Sequence, residues 1–102
     1  MTYSVFLSIE AESNVIAIYD WLAIRSPSGA DSWYAAFLES LDHLESDPIR
    51  FGLAPESAFF SNEIRQQLFK TRKGRYYRVL FSVRDNVVNV LYVRGPGQQL
   101  IS

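Results

Sequence analysis

The feature of this sequence that most constrains its fold is the alternation of side chains between positions 75 and 83. A period of two residues is typical of a β-strand, whose side chains point in turn to opposite faces of a sheet. One face of this strand is expected to join the core, and the other to be able to meet a ligand. The core-facing residues would be Tyr77, Val79, Phe81 and Val83, and the opposite face would carry Tyr76, Arg78, Leu80 and Ser82.

Two further strands are predicted beside this one. Residues 87–93 are apolar at nearly every position, which is typical of a central strand covered on both faces. Asp85 and Asn86, which separate this run from the alternating one, favour a two-residue hairpin turn. The sequence therefore predicts three consecutive strands over residues 64–70, 76–83 and 87–94.

The N-terminal part of the chain predicts one strand and two helices. Residues 3–9 alternate and are expected to add a strand to the same sheet, and apolar residues at helical spacing then predict a helix from about Glu10 to Arg25. Ser28 and Asp31 fit a capping box that begins a second helix, which should end before Pro48. The buried stripe of that helix would contain Ala30, Trp33, Tyr34, Phe37, Leu41 and Leu44.

These elements predict an α+β fold in the order β-α-α-β-β-β, with an antiparallel sheet and an N-terminal helical hairpin packed on one face. At 102 residues and 48% hydrophobic content, the chain is expected to form a single domain over residues 1–102. Residues 48–62 form an unusually long connection, either a packed segment or a binding loop, and its three phenylalanines favour packing. The residues expected to be nearly inaccessible are Leu41, Leu44, Val79, Phe81 and Val90.

Charge is divided unevenly along the chain. Residues 1–63 contain two basic and ten acidic residues, whereas residues 64–102 contain eight basic residues and only Asp85 as an acid. Such asymmetry predicts one anion-facing surface, although solvated arginines or pairs with the acidic helices are an alternative. The sequence has no cysteine, no basic leader and no apolar run of membrane-spanning length, so we expect a soluble, cytoplasmic protein without a membrane partner.

Several short segments follow one another at a recognisable spacing. They are Pro48, Arg50-Phe51-Gly52, Ala54-Pro55-Glu56, Glu63-Ile64-Arg65, Tyr77-Arg78-Val79-Leu80-Phe81 and Val90-Leu91-Tyr92-Val93-Arg94. Each segment is common by itself, but taken in order they resemble the RelE/ParE superfamily of bacterial toxins, and the resemblance spans nearly the whole chain.

The resemblance implies the toxin of a type II toxin–antitoxin module, held inactive by a cognate antitoxin protein. RelE-like members cut messenger RNA in the ribosomal A site without a metal, so the implied partners are the ribosome and mRNA. ParE-like members instead inhibit DNA gyrase and are not nucleases. A third alternative is a module member that binds antitoxin but has lost toxicity.

Cleavage of RNA by its own 2′-hydroxyl requires cations that hold the phosphate and stabilise the developing charge. By resemblance, Arg78 is the expected phosphate clamp, and Lys70 and Arg94 are the further candidate catalytic residues. Candidate RNA contacts are Arg65, Arg72, Lys73, Arg75 and Tyr76. We expect Arg65, Lys70, Arg72, Arg78 and Arg94 to form one continuous positive surface.

The chain departs from the family pattern near its C-terminus, which weakens the expectation of nuclease activity. Gly95 stands where many relatives carry histidine, and Gln98 or Gln99 where a further arginine is common. The only histidine, His43, lies in the acidic half and is expected to be a surface residue. No cluster has metal-ligand spacing, so no metal and no cofactor are expected.

Overall fold

The computed structural model describes residues 2–96 and has an α+β fold. Its elements follow the expected order, with two helices between the first and second strands. They are β1 (Ser4–Leu7), α1 (Ile9–Arg25), α2 (Pro27–Leu44), β2 (Arg65–Phe69), β3 (Tyr77–Arg84) and β4 (Val87–Arg94). Two short 3-10 turns, Pro48–Arg50 and Pro55–Phe59, lie in the long connection before β2.

The four strands form one sheet in the order β1-β4-β3-β2. β2, β3 and β4 pair antiparallel, as the hairpin signal indicated, but β1 pairs parallel to β4. The sheet is therefore mixed, and the prediction of an antiparallel sheet was wrong for its first strand. Alternation of side chains defines the faces of a strand and contains no information about the direction of its neighbour.

The positions of β3 and β4 agree closely with the sequence pattern. β4 lies between β1 and β3, as its nearly continuous apolar run predicted. Asp85 and Asn86 form the turn between β3 and β4, and Asp85 has a φ of 56°. A register shift follows Leu80, and the carbonyl of Leu91 there accepts a hydrogen bond from Ser8 Oγ. Ser8 thus joins the end of β1 to β4.

Ser8 and Ser26 are the N-caps of the two helices. The Ser8 hydroxyl accepts a hydrogen bond from the amide of Ala11, and the Ser26 hydroxyl accepts one from the amide of Gly29. The cap of α2 is therefore Ser26, two residues before the predicted cap Ser28, and the helix starts at Pro27. Proline is favoured at a first helical position because it has no amide hydrogen to leave unsatisfied.

The main core lies between the helical hairpin and one face of the sheet. Trp33 and Phe37 of α2 stack with parallel rings whose centroids are 5.8 Å apart, and both contact the ring of Phe69. The predicted buried residues Leu44, Val79, Phe81 and Val90 are all inaccessible. Leu41 is only partly buried and Tyr34 is exposed, because both lie at the border of the helical stripe and not at its centre.

The opposite face of the sheet is partly covered by the connection between α2 and β2. Leu80 of β3 is fully buried there in a small second cluster with Ala54 and Ile64. The connection is therefore a packed segment, as its phenylalanines suggested, although Phe59 itself is exposed. Only part of this face remains available for a ligand.

Neither helix within residues 2–96 combines the length and the apolar character that a membrane crossing requires.

Phe81 provides a test of the core. Truncating Phe81 to alanine removes a fully buried ring, and we expect it to lower the free energy of unfolding by roughly 3–5 kcal/mol in urea denaturation. Phe6 is the matched control, because its ring is 58% exposed, and Phe6→Ala should cost about 1 kcal/mol or less. Equal losses for the two variants would contradict the assigned faces.

The cap of α2 provides a second test. Ser26→Ala removes the acceptor for the Gly29 amide and should destabilise the protein by about 1 kcal/mol. Ser28→Ala, one helical position beyond Pro27, should change stability by roughly 0.5 kcal/mol or less. Thermal or urea denaturation of the two variants would show the opposite order if the cap lay at Ser28.

Candidate functional site

The candidate site lies on the face of the sheet that points away from the helices, which we call the open face. Arg78 of β3 and Arg94 of β4 are direct neighbours in the strand register, and Leu68 of β2 pairs with Arg78 on its other side. The structure therefore brings together two of the three predicted catalytic residues. Lys70 follows β2 directly, and its ammonium group lies 5.4 Å from the centroid of the Tyr76 ring.

The guanidinium of Arg78 is engaged by an acid that sequence reasoning did not single out. Its two terminal nitrogens donate to the two carboxylate oxygens of Glu56, at 2.8 and 2.6 Å. One of these nitrogens also donates to Gln66 Oε1 at 3.0 Å. Glu56 is completely buried and the Arg78 side chain is 19% exposed. Arg78 thus lies on the predicted face of the strand, but its guanidinium is bound by Glu56 and is largely covered.

The segment around Glu56 is fixed to the edge of β2 by backbone hydrogen bonds. The amide of Ala54 donates to the carbonyl of Ile64 at 2.7 Å, and the amide of Ile64 donates to Ser57 Oγ at 3.0 Å. The amide of Gln66 donates to the carbonyl of Gly52. These bonds hold the 3-10 turn Pro55–Phe59 over the open face, so the Glu56 carboxylate lies at the fork of Arg78.

Arg65 lies on the other face of the sheet. It pairs in register with the core residue Phe81, so its side chain points to the helix side, where it donates to the carbonyls of Ile49 and Phe51. Its nearest acid is Glu63, at 3.7 Å. The predicted continuous surface of five cations is thus divided between two faces, because alternation along β2 separates Arg65 from the residues beside Arg78.

The connection between β2 and β3 concentrates positive charge at one end of the sheet. Four cations occur within six residues, and all are exposed: Lys70, Arg72, Lys73 and Arg75. None of them forms an ion pair with a residue in the described part of the chain. Tyr76 is also exposed there, as expected from its position opposite the core-facing residues.

A groove of about 700 Å³ lies beside this connection, between it and the helical hairpin. Lys73 and Arg75 line it together with Trp33 and Tyr77. Burial raises the pKa of the Tyr77 hydroxyl, and the positive charge of Arg75 opposes that rise. Tyr77 therefore stays protonated at neutral pH and is a neutral donor at the edge of a cationic groove.

The helical hairpin has the opposite charge. A second groove, of about 480 Å³, lies between α1 and α2 and is lined by Glu12, Asp20 and Asp31. The Tyr19 hydroxyl donates a hydrogen bond to Asp31, and this bond raises the pKa of Tyr19. The division of charge in the sequence is thus also a division in space.

Several other predicted residues can be placed. His43 is exposed on α2, as expected, and its Nδ1 lies 3.1 Å from Nε2 of Gln67. Gly95 follows β4 directly, whereas Gln98 and Gln99 lie outside the described residues. Within residues 2–96, no group of histidine, aspartate and glutamate side chains could hold a metal ion.

No protein-family model matches the sequence, and no curated protein matches it either.

Glu56 is the residue of the site that sequence reasoning missed. It is the only charged residue between Phe51 and Phe60, in a segment rich in apolar side chains. A lone acid in a segment whose phenylalanines favour packing was the available signal, because a buried carboxylate needs a cationic partner.

The Glu56–Arg78 pair can be measured with a double-mutant cycle. Arg78→Ala leaves the buried Glu56 without its arginine partner and should lower the free energy of unfolding by roughly 3–5 kcal/mol. Glu56→Ala combined with Arg78→Ala should cost less than the sum of the single changes, by about 1–3 kcal/mol, in urea denaturation.

Arg84→Ala is the matched control for this cycle. Arg84 ends the same strand, is exposed and forms no ion pair with a described residue, so its removal should cost roughly 0.5 kcal/mol or less. If Arg78→Ala were as mild as Arg84→Ala, Arg78 would be a free surface cation after all.

Proposed function

We propose that this chain is the toxin component of a type II toxin–antitoxin module and that it acts by binding a protein target without cutting RNA. Two features support the family assignment: the ordered segments that resemble RelE/ParE toxins, and the β-α-α-β-β-β order with a helical hairpin on one face of the sheet. The proposed target is the one that the ParE-like alternative implies, DNA gyrase. The proposed location is the cytoplasm, where the target and the cognate antitoxin occur.

The single observation that carries the non-nuclease proposal is the bidentate contact between Glu56 and Arg78. Glu56 and Gln66 take three of the five N–H donors of the Arg78 guanidinium, and the carboxylate neutralises its charge, so Arg78 is a weaker clamp for a phosphate than a free arginine. Displacing Glu56 would leave a fully buried carboxylate without this partner, which costs several kcal/mol. On this proposal Arg78 stabilises the fold by pairing with Glu56 and does not hold a phosphate.

The residue after β4, Gly95, also supports the proposal that this chain is not a nuclease. Gly95 has no side chain to donate or accept a proton, whereas many relatives carry histidine there. General acid–base catalysis requires such a group within hydrogen-bond reach of the reacting oxygens. With glycine in place of that histidine and Arg78 paired with Glu56, the described part of the open face supplies positive charge, but no residue on it is identified as a general acid or base.

Metal-independent cleavage of mRNA on the ribosome is the second candidate, and one observation favours it. Lys70, Arg72, Lys73 and Arg75 are exposed at the same end of the sheet as Arg78 and Arg94, and Tyr76 lies beside them. Such a concentration of cations with an aromatic ring is typical of surfaces that bind single-stranded RNA. On this alternative, Lys70 and Arg94 would stabilise the charge on the phosphate.

Expression in a bacterial host separates the candidates when growth, messenger RNA and plasmid supercoiling are followed in the same culture. The proposal predicts growth arrest, altered supercoiling and uncut messages in primer extension. Co-expression of the protein encoded by the neighbouring gene should relieve the arrest. Cleavage at ribosome-engaged codons with unchanged supercoiling would establish the nuclease instead. Normal growth, with uncut messages and unchanged supercoiling, would support the third alternative, a module member that binds antitoxin but has lost toxicity.

Lys70→Ala sharpens this experiment. Lys70 is exposed, so its removal should leave the fold intact, and on the proposal it should also leave the growth arrest unchanged. A nuclease that uses Lys70 to stabilise the transition state should lose activity by about a hundredfold or more. Arg84→Ala removes an equal charge far along β3 from this end of the sheet and is the control for a general effect of charge.

A further inference from the structure

The groove beside the β2–β3 connection, which we call the cationic groove, has an apolar floor and a positively charged rim. Ile18 and Leu22 of α1 and Trp33 of α2 line its floor, and Arg25, Lys73 and Arg75 supply its charge. No acidic residue of the described part of the chain lines it. A ligand that fits must therefore combine an apolar part with negative charge around it.

The charges at the rim are available to such a ligand. Lys73 and Arg75 are exposed and form no ion pair with a described residue. Arg25 is exposed as well, and its guanidinium lies over the Trp21 ring and donates to the Trp21 carbonyl. That contact fixes the arginine at the groove without neutralising it, so three positive charges surround one apolar floor.

The lining favours a peptide over a nucleotide. Recognition of a base needs an open aromatic face and side chains that pair with the donors and acceptors of its edge. Trp33 is 2% exposed. Trp21 is 54% exposed, but one face of its ring is covered by the Arg25 guanidinium, 3.6 Å from the ring centroid, which leaves a base only the other face. Among residues 2–96, the lining has no asparagine, glutamine, aspartate or glutamate that could read a base edge. An aliphatic or aromatic side chain of a peptide needs neither feature and gains from burial on an apolar floor.

Trp33 supplies a second, independent observation. Its indole N–H is buried and has no acceptor within the described part of the chain. A buried donor without an acceptor is unfavourable, so an occupant whose carbonyl or carboxylate reaches this N–H removes that penalty. Since the nitrogen is inaccessible in the structure, such an occupant must displace a neighbouring side chain as it binds.

We propose that the cationic groove binds an acidic peptide segment of a partner protein, with an apolar side chain on the floor and flanking carboxylates at Arg25, Lys73 and Arg75. The positive charge of the groove selects against basic segments. This inference does not depend on the toxin assignment, because it uses only the shape, charge and hydrogen-bonding groups of the groove.

Titration of the full chain with a labelled peptide, Glu-Asp-Leu-Phe-Glu-Asp, tests the proposal by fluorescence anisotropy and by NMR. Because the chain has two tryptophans, two indole N–H signals report on the groove directly. We expect saturable binding and a shift of the Trp33 indole signal. The peptide Lys-Lys-Leu-Phe-Lys-Lys should not bind, and Glu-Asp-Ser-Ser-Glu-Asp should bind more weakly because it lacks the apolar anchor.

Reversing the charge of Lys73 and Arg75 together to glutamate should weaken binding of the acidic peptide by about tenfold or more. Arg84→Glu, an exposed charge reversal outside the groove, is the control and should leave the affinity unchanged. Both positions of the double variant are exposed, and its melting curve verifies that the fold is retained.

Three results would overturn the proposal. One is the absence of saturable binding, or binding that leaves the Trp33 indole signal unmoved. Another is equal affinity of the double variant and the wild-type chain. The third is tighter binding of a single-stranded oligouridylate that displaces the acidic peptide, which would assign the groove to RNA.

Discussion

The contact between Glu56 and Arg78 is the interaction on which the rest of this structure depends. A carboxylate with no exposure to solvent is tolerated in a folded protein only when a cation and further hydrogen bonds compensate for its lost hydration. Arg78 supplies both through two short bonds, and Gln66 binds the same guanidinium. This contact joins the 3-10 turn Pro55–Phe59 to β3, an inner strand of the sheet, across twenty-two positions of the chain.

That contact also determines what the open face can do. The connection that carries Glu56 packs Ala54 and Phe60 against Leu80. This part of the open face, which was predicted to be able to meet a ligand, is therefore a second, smaller core. The exposed cations then lie mainly beyond the ends of β2 and β3, in the connection from Lys70 to Arg75. The molecule thus has a cationic end next to an acidic hairpin, and the two surfaces would attract partners of opposite charge.

Much of the fold could be predicted because local patterns determine it. Alternation located β3, and the apolar run placed β4 at the centre of the sheet. The face of Arg65 could also have been predicted, since Phe69 is a core residue four positions away on the same strand face. Ser26 precedes a proline, a signal that favoured it over Ser28 as the cap. The parallel pairing of β1 could not be inferred, because side-chain patterns contain no information about strand direction.

The candidate site was less predictable because its central contact joins distant parts of the chain. Arg78 was identified by resemblance and by its position on the strand. Neither observation gives any information about which acid it contacts. Whether a strand arginine is free or paired depends on how the preceding connection folds over the sheet. Glu56 lies in a 3-10 turn, which has no periodic sequence pattern. The sequence therefore indicated Arg78 as a site residue but not its partner Glu56.

The most direct test of the central claim is the NMR spectrum of the arginine side chains. If Glu56 holds Arg78 in solution, rotation of its guanidinium is restricted, and its terminal nitrogens give distinct, slowly exchanging signals. Addition of a uridine dinucleotide should leave those signals unchanged, while the exposed Arg84 shows averaged signals as the internal control. Averaged signals for Arg78, or a shift that saturates with the dinucleotide, would contradict a structural role. Either result would support Arg78 as a phosphate-binding residue.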